Sequence, residues 1–222
     1  MAEKNSFYFS EEQDVKSDER IIDFTWREID LSFISDNGVF SKNHIDLGSK
    51  LLLEAFEAEM LELAREDSSK FEKLSSGKKL DLGTGYGVIG ITAQKLFPKG
   101  SMILSDVNER ALALSEKNIA RNLAVKTSTI KSDGFSKING KFDIILTNPP
   151  MRTGKEKVQE LLSQAQEHLS DNGILLAVIG KKQGAESYGR YLDEIFPNTW
   201  TSLKKKGFTV FACSKEVDEL DL

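Results

Sequence analysis

The stretch KFDIILTNPPM, residues 141–151, combines the pattern of a buried strand with an abrupt and stiff end. Residues 142–146 are mostly apolar, which is typical of a strand that is buried on both faces of a parallel sheet. Pro149 and Pro150 cannot donate to a sheet ladder, and each proline holds the residue before it in an extended conformation. Open α/β sheets bind ligands at the carboxyl ends of parallel strands. We therefore expect a rigid ligand-binding turn at Asn148.

Asn148 and Pro149 offer hydrogen-bond acceptors that suit an amine. The Asn148 side chain has a carbonyl oxygen, and the main-chain carbonyl of Pro149 meets no competing N–H from Pro150. A planar exocyclic amine carries two hydrogens that both need acceptors, and binding both would aim its lone pair at an electrophile. A Pro-Pro pair alone is common in turns that simply end a strand. Here it follows an apolar strand and lies downstream of a glycine-rich loop, which favours the functional interpretation.

Strand and helix patterns alternate from residue 78 onwards, and this predicts a doubly wound, mostly parallel α/β sheet. An antiparallel edge hairpin is predicted near the carboxyl end, and a smaller hairpin over residues 22–33. A helix is predicted from Asp46 to Leu63, residues 65–77 are interpreted as a charged connection, and a break is expected at 171–173. The other predicted strands are 79–82, 102–106, 127–130, 142–146, 174–179, 200–203 and 208–212, and the other predicted helices are 88–97, 109–122, 156–169 and 185–196.

The composition argues against several classes of protein. Lysine and arginine number 30 against 35 aspartate and glutamate residues, so the formal charge of −5 argues against a sequence-independent coat on nucleic acid. Cys213 is the single cysteine and His44 and His168 are the two histidines, so we expect no disulfide framework and no metal site. No apolar run approaches a membrane span, and residues 1–5 lack the apolar core of a signal peptide, so we expect a cytoplasmic protein without membrane attachment. We expect the aromatic residues 7–9 to dock on the domain.

A glycine-rich loop follows the first strand of the alternating region. Residues 85–90, GYGVIG, match the dinucleotide fingerprint, in which glycines let a ligand approach the backbone and the next helix offers N–H groups to an anion. That anion is either the pyrophosphate of a dinucleotide or the carboxylate of S-adenosyl-L-methionine. Asp81 stands two residues before Gly83, where a carboxylate would repel a pyrophosphate but attract an ammonium group, directly or through water. Asp81 therefore favours S-adenosyl-L-methionine.

Acidic residues also follow the next two predicted strands. Asp106 can accept hydrogen bonds from both hydroxyls of a ribose. Asp133 can accept one from an adenine amino group, and Phe135 can cover the adenine ring. An isolated aspartate at such a position is a helix cap or a turn residue about as often as it is a ligand-binding residue. Three of them at three successive strand ends predict one cofactor site.

These motifs resemble a known family, the small methyltransferase domain of class I S-adenosyl-L-methionine enzymes. The resemblance is greatest to ribosomal RNA guanine-N2 methyltransferases of the RsmC type, and it runs from about Phe7 to Cys213. It implies a Rossmann-like fold, S-adenosyl-L-methionine as cofactor and methyl transfer to an exocyclic amine, with guanine N2 of small-subunit ribosomal RNA as the first choice. The motifs that carry it are residues 81–87 (DLGTGYG), Asp106, Asp133, residues 148–151 (NPPM), 38–41 (GVFS) and 46–49 (DLGS).

The length and the pattern of the chain predict a domain organisation, and the resemblance implies a partner. We expect an N-terminal extension over residues 1–64 that packs on a methyltransferase core over residues 78–215, forming one compact domain. RNA, either naked small-subunit ribosomal RNA or an assembled small subunit, is the expected partner. The protein is expected to be a monomer or a weak homodimer.

The candidate site residues fall into three groups, and none of them is a metal ligand. The catalytic group would orient the amine and contact the base, and it consists of Asn148, Pro149, Pro150 and Met151. The cofactor group consists of Asp81, Gly83, Gly85, Gly87, Asp106, Asn108, Asp133, Gly134, Phe135 and Asn148. The substrate group consists of Phe40, Lys42, Arg152, Lys155 and Lys182, with the run 204–206 as further phosphate contacts.

Three alternatives stay open at this point. A methyltransferase acting on a protein glutamine amide would use the same Asn-Pro-Pro geometry, although those enzymes commonly carry tyrosine where this chain has Met151. A nicotinamide-dependent oxidoreductase would explain the glycine loop but leave residues 148–150 without a role. A non-catalytic ribosome-binding module would leave the acids and glycines without a purpose.

Overall fold

The computed structural model describes residues 15–216 of the chain. The predicted docking of aromatic residues 7–9 lies outside the described residues. Among residues 15–216, no helix has the length and apolar character that crossing a bilayer requires. The strands are β1 Arg20–Trp26, β2 Ile29–Ser35, β3 Lys78–Leu82, β4 Ser101–Asp106, β5 Thr127–Lys131, β6 Phe142–Thr147, β7 Leu169–Gly180, β8 Asn198–Lys205 and β9 Phe208–Ser214. The α-helices are α1 Leu47–Glu66, α2 Ser68–Ser76, α3 Val88–Leu96, α4 Glu109–Arg121, α5 Lys155–His168 and α6 Ala185–Ile195.

Seven strands form one sheet in the order β5-β4-β3-β6-β7-β9-β8. The first five are parallel, and β9 is antiparallel to both β7 and β8. This confirms the predicted doubly wound sheet with an antiparallel edge hairpin, and β1 with β2 confirms the N-terminal hairpin. Leu82 pairs with Ser105 on one side and Thr147 on the other, so the ends of β3, β4 and β6 lie side by side. The chain order changes direction between β3 and β6, and such switch points are where open α/β sheets bind ligands.

The central strands bury side chains on both faces of the sheet. Ile144 and Leu146 lie in the core that α1, α3 and α4 cover, whereas Ile145 lies in the opposite core under α5 and α6. Alternate residues of a strand point to opposite faces, so a strand buried twice carries a nearly continuous apolar run. Each fully buried isoleucine or leucine contributes about 1.5–3 kcal/mol. The strand that leads to Asn148 is therefore firmly held.

Two asparagines, one in α4 and one directly after it, attach the N-terminal hairpin to the sheet domain. The side chain of Asn118 accepts from Ile34 N (2.7 Å) and donates to Ile34 O (2.9 Å). Asn122 makes the same pair of bonds with Ser32, at 2.9 and 3.0 Å. The two amides pair with the outer edge of β2 as a neighbouring strand would. This attachment fixes where the chain leaves β2 and enters the segment at residues 36–46.

Two local predictions are wrong. Residues 65–77 contain helix α2, whose first turn is capped by Asp67 accepting from Lys70 N at 2.9 Å. The alternation of charged and apolar residues there serves an exposed helix rather than a connection. The break at residues 171–173 lies inside β7, which pairs with β6 at Leu169↔Phe142 and again at Ile174↔Ile144. Residues 170–173 form an irregular insertion opposite Asp143, and the strand continues beyond it.

Candidate active site

A cavity of about 380 Å³ opens at the carboxyl ends of β3, β4 and β6. Its size is in the range of small-molecule and cofactor sites. One side is built by the loops that follow β3 and β4, and the other by residues before α1, the turn after β6 and a residue after β7. The lining residues are 39–46, 49, 83–86, 88, 89, 106, 108, 111, 148, 149, 151, 152 and 183.

The glycine loop between β3 and α3 forms the floor of one side of the cavity. Gly83 and Gly85 have φ values of 75° and 59°, in the left-handed region that favours glycine. A Cβ atom at either position would meet no heavy atom within 4 Å, so both glycines face open space. Gly87 differs, because a Cβ there would lie 2.8 Å from Ile91 Cδ1. Its geometry serves close packing of the loop on α3, and it does not line the cavity.

Asp81 lies beneath this loop and is fully buried. Its Oδ2 accepts from Thr84 Oγ1 at 2.6 Å and from Gly90 N at 2.8 Å. Its Oδ1 has no hydrogen-bond partner within residues 15–216. Burial raises the pKa of Asp81 to about 7, against the lowering effect of these two hydrogen bonds. The carboxyl group is thus held under the loop with one oxygen unsatisfied.

Asp106 at the end of β4 lies in the cavity wall. One carboxylate oxygen accepts from Gly85 N at 2.8 Å and the other from Asn108 N at 2.9 Å. Burial raises its pKa, and the two backbone hydrogen bonds oppose that shift. Asn108 caps α4 by accepting from Arg110 N and Ala111 N. Its Nδ2 donates to Gly38 O at 3.1 Å, which ties α4 to the opposite side of the cavity.

Asn148 comes directly after β6, whose end is held by Thr147 Oγ1 donating to Leu82 O at 2.9 Å. The Asn148 side chain is half-buried and its Nδ2 donates to Asp46 Oδ1 (3.3 Å) and Ser49 Oγ (3.4 Å). Its Oδ1 accepts no hydrogen bond from the described part of the chain, and Asn148 is one of the residues that line the cavity. The sequence did not assign roles to Asp46 and Ser49, although they fall within the DLGS motif.

The Pro149 carbonyl is less free than the sequence predicts. The N–H of Pro150 is indeed absent, but Met151 N donates to Pro149 O at 2.8 Å. Pro150 has φ −75° and ψ 76°, the geometry of a tight inverse turn. A carbonyl oxygen has two lone pairs, so one acceptor position remains. Pro149 and Met151 line the cavity, whereas Pro150 supports the turn behind them.

The segment at residues 38–46 forms the opposite wall. Phe40 is 46% exposed and lines the cavity, as do Lys42 and His44. The Lys42 ammonium donates to Asn37 Oδ1 at 2.9 Å, so it is already engaged within the segment. Burial, together with the charge of Asp46, raises the pKa of the Tyr86 hydroxyl. That hydroxyl donates to Ser41 O at 3.2 Å and joins the glycine loop to this wall.

Basic side chains follow the strands at the edge of the sheet where the cavity opens, and Arg152 lines the cavity. Arg152, Lys155 and Lys182 are exposed, and within residues 15–216 none of them makes an ion pair or side-chain hydrogen bond. Lys181 N donates to Gly207 O at 2.8 Å, which brings the turn at 204–207 to the same edge of the sheet. Lys205 is paired with Glu54 at 2.7 Å. Arg152, Lys155, Lys182 and the run 204–206 therefore lie at one edge of the sheet.

The structure does not bring Phe135 to the cavity. Its ring is buried in the second core and stacks on His168 with ring centroids 4.4 Å apart. Covering an adenine ring would require Phe135 to leave that stack. The position of its ring therefore argues against the predicted contact with adenine. Asp133 is exposed beyond the end of β5 and lies 3.4 Å from the Lys157 ammonium. Within residues 15–216, no group of three or more His, Cys, Asp or Glu side chains is arranged to hold a metal ion.

Comparison with known proteins gives two kinds of match. A family model, described as the methyltransferase small domain, matches residues 30–212. The protein YbxB of Bacillus subtilis (strain 168), described as uncharacterized, is 39% identical over 210 residues, which cover 94% of this chain and 98% of YbxB. Ribosomal RNA small subunit methyltransferase C of Pasteurella multocida is 34% identical over 187 residues, or 82% of this chain and 51% of that enzyme.

A solved structure matches the fold. The Thermus thermophilus 16S rRNA N2 G1207 methyltransferase (RsmC), in complex with AdoMet and guanosine, superposes with a TM-score of 0.76 and 24% identity. The match covers 89% of this chain and 51% of that one. This chain thus spans about half the length of the ribosomal RNA methyltransferases that it resembles.

Proposed function

We propose, from the premise that the chain belongs to the methyltransferase small domain family, that it methylates the exocyclic N2 amine of guanine in small-subunit ribosomal RNA. The chain carries an S-adenosyl-L-methionine-dependent methyltransferase domain with a Rossmann-like sheet. Membership in this family sets aside the nicotinamide-dependent oxidoreductase. The choice of base and the choice of RNA are the proposal.

The residues around the glycine loop fit S-adenosyl-L-methionine, which supplies an electrophilic methyl group when it is bound. Gly83 and Gly85 leave open space where side chains would stand. Asp106 presents a carboxylate to the cavity, where it would accept from ribose hydroxyls. Asp81 Oδ1 has no partner within residues 15–216, and it would accept from the ammonium group, directly or through water. Asn108, Asp133 and Gly134 would complete this side, and Asp133, which lies outside the cavity lining, would accept from the adenine amino group.

The Asn148 amide is the observation that carries the proposal. Its Nδ2 donates to Asp46 Oδ1 and Ser49 Oγ, and its Oδ1 has no donor within the described residues. An acceptor held in this way would take one hydrogen of an incoming amine, and the remaining lone pair of Pro149 O would take the other. The amine would then be oriented without a strong general base. After transfer, the methylated nitrogen would lose its proton to water, so positioning and desolvation would supply most of the catalysis.

Guanine in RNA fits the rest of the cavity and its surroundings. Phe40 and the Met151 thioether line the acceptor side, and both can lie on the face of a base. Arg152, Lys155, Lys182 and the run 204–206 lie at the same edge and would contact phosphates. Extruding a base from structured RNA costs a few kcal/mol, and these contacts would offset it. The relatives named as ribosomal RNA methyltransferases support the choice of RNA.

The proposal can be tested by methyl transfer to defined substrates. Small-subunit particles, naked ribosomal RNA and total protein from cells lacking this gene would be incubated with the protein and radiolabelled S-adenosyl-L-methionine, with nuclease and protease controls. We expect label in RNA that digests to N2-methylguanosine. Label in another nucleoside would overturn the choice of base, and label in protein would move the assignment to a glutamine side-chain amide.

A further inference from the structure

We infer that Asp46 and Ser49 are positioning residues that orient the Asn148 amide for the acceptor amine. The inference rests on the proposed function, because it gives that orientation a catalytic purpose. Asp46 is the N-cap of α1, and Ser49 lies in its first turn. Both are about one hundred residues before Asn148 in the chain and meet it only in the folded protein.

The three side chains form a closed set of hydrogen bonds. Asp46 Oδ1 accepts from Ser49 N at 3.1 Å, and Ser49 Oγ donates to Asp46 Oδ2. Since the Ser49 hydroxyl hydrogen is used in this way, its lone pairs are available to Asn148 Nδ2 at 3.4 Å. Asp46 Oδ1 lies 3.3 Å from the same nitrogen. A Cβ at Gly48 would lie 3.0 Å from Asp46 Oδ1 and 3.3 Å from Asn148 Nδ2, so glycine keeps this junction open.

This arrangement selects one of the two orientations of the amide. The oxygen and nitrogen ends of an asparagine side chain have nearly the same shape, and only their hydrogen bonds distinguish them. Facing Asn148 Oδ1 toward Asp46 would place two acceptors against each other and leave Nδ2 toward the amine. With Nδ2 bound to Asp46 and Ser49, Oδ1 is the end of the amide that remains for the amine. Donation to a carboxylate also strengthens the amide oxygen as an acceptor, which matters most when the bound amine becomes positively charged.

The substitution Asp46→Asn separates this role from helix capping. Asparagine and aspartate are about equally good N-caps, so α1 should keep its start while the acceptor charge is lost. Ser49→Ala removes the second acceptor. Asp67→Asn is the matched control, since Asp67 caps α2 in the same way and lies outside the cavity lining.

The test measures turnover on small-subunit particles, the dissociation constant for S-adenosyl-L-methionine, and hydrogen exchange of the Asn148 side-chain amide by NMR, assigned with Asn148→Asp. We expect Asp46→Asn to lower kcat roughly 10- to 100-fold and Ser49→Ala to lower it less. Cofactor affinity should stay within about twofold of wild type, and Asp67→Asn should match wild type. In the wild-type protein the Nδ2 hydrogens should exchange slowly, and faster in both active-site variants.

Each result bears on one claim. An unprotected Asn148 amide in the wild-type protein, or an Asp46→Asn variant with wild-type kcat, would overturn the inference even if the wild-type enzyme methylates RNA. A wild-type protein that methylates none of the substrates would defeat the proposed function. In that case the exchange measurement still decides whether Asp46 and Ser49 hold the amide.

Discussion

The two sides of the cavity are built in different ways. The cofactor side consists of the loops after β3 and β4. Its main hydrogen bonds join residues of these two consecutive strand-loop units, such as Gly90 N to Asp81 and Gly85 N to Asp106. The acceptor side joins the start of α1 to the turn after β6, with Asp46 and Asn148 separated by 102 residues. One side is a product of local sequence, and the other depends on the whole fold.

Few hydrogen bonds connect the two sides directly. Within residues 15–216 they include Tyr86 Oη to Ser41 O and Asn108 Nδ2 to Gly38 O. Asn148 takes no part in these connections, and within residues 15–216 the side chain of Asp106 accepts from the backbone of its own side. Substitutions on the two sides should therefore change different quantities, turnover on the acceptor side and cofactor affinity on the cofactor side.

The largest effect is expected from Asn148→Ala. Loss of the amide oxygen should lower kcat by about 10²- to 10³-fold, the usual cost of removing one preorganised hydrogen-bonding group from a reacting centre. Cofactor affinity should change far less. Single-turnover transfer and calorimetric titration with S-adenosyl-L-methionine measure the two quantities, and Asn139→Ala at an exposed loop position is the control. An equal loss of both quantities would show that the two sides are not separable.

The next largest effect is expected from Asp106→Ala. Hydrogen bonds to a charged group are worth about 1.5–3 kcal/mol, so the cofactor dissociation constant should rise roughly 10- to 100-fold. Turnover at saturating cofactor should largely recover. Asp106→Asn keeps an acceptor oxygen, so its cofactor dissociation constant should lie between those of Asp106→Ala and wild type. Unchanged affinity in Asp106→Ala would remove this residue from the cofactor site.

Asp81 should make stability depend on pH. Its pKa in the folded protein is raised to about 7 from the ordinary value of 3.8. Between these values the folded state binds more protons at Asp81 than the unfolded state does, so this contribution to stability falls as pH rises and is lost above about 7. The difference in unfolding free energy, Asp81→Asn minus wild type, should therefore increase by about 1.4 kcal/mol between pH 5 and pH 6. Urea titrations at both pH values measure this, and a constant difference would mean that Asp81 is ionised throughout.

The smallest effect is expected from substituting the basic side chains at the cavity edge of the sheet. Arg152→Ala and Lys182→Ala should each weaken RNA binding a few-fold and reduce the slope of log affinity against log salt by about 0.7–0.9. Lys78→Ala, exposed at the opposite end of β3, is the matched control. Filter binding of ribosomal RNA at several salt concentrations makes the comparison. If Arg152→Ala and Lys182→Ala gave the same slope of log affinity against log salt as Lys78→Ala, the RNA would not contact Arg152 or Lys182.

The structure places Gly83, Gly85, Asp106 and Asn108 on one side of the cavity, and their roles there stay predictions. The glycine loop, the acid that ends β4 and the cap at Asn108 belong to consecutive strand-loop-helix units, and local order is enough to bring them to one edge. Phe135 was misplaced because its position after β5 did not reveal that its ring packs on His168. The division into an extension over residues 1–64 and a core over 78–215 stays a prediction, as do the oligomeric state and the roles of the individual site residues.

The sequence by itself determined the class of fold, the strand that ends at Asn148 and the family, because periodicity, glycine positions and the Asn-Pro-Pro turn are local properties of the chain. Only the tertiary structure decided how the acceptor side is arranged. A proline ring restricts φ but leaves ψ open, so the bond from Met151 N to Pro149 O could not be read from two prolines. The meeting of Asp46, Ser49 and Asn148 requires α1 and β6 to pack in one domain, and no local pattern specifies a contact across that distance in the chain.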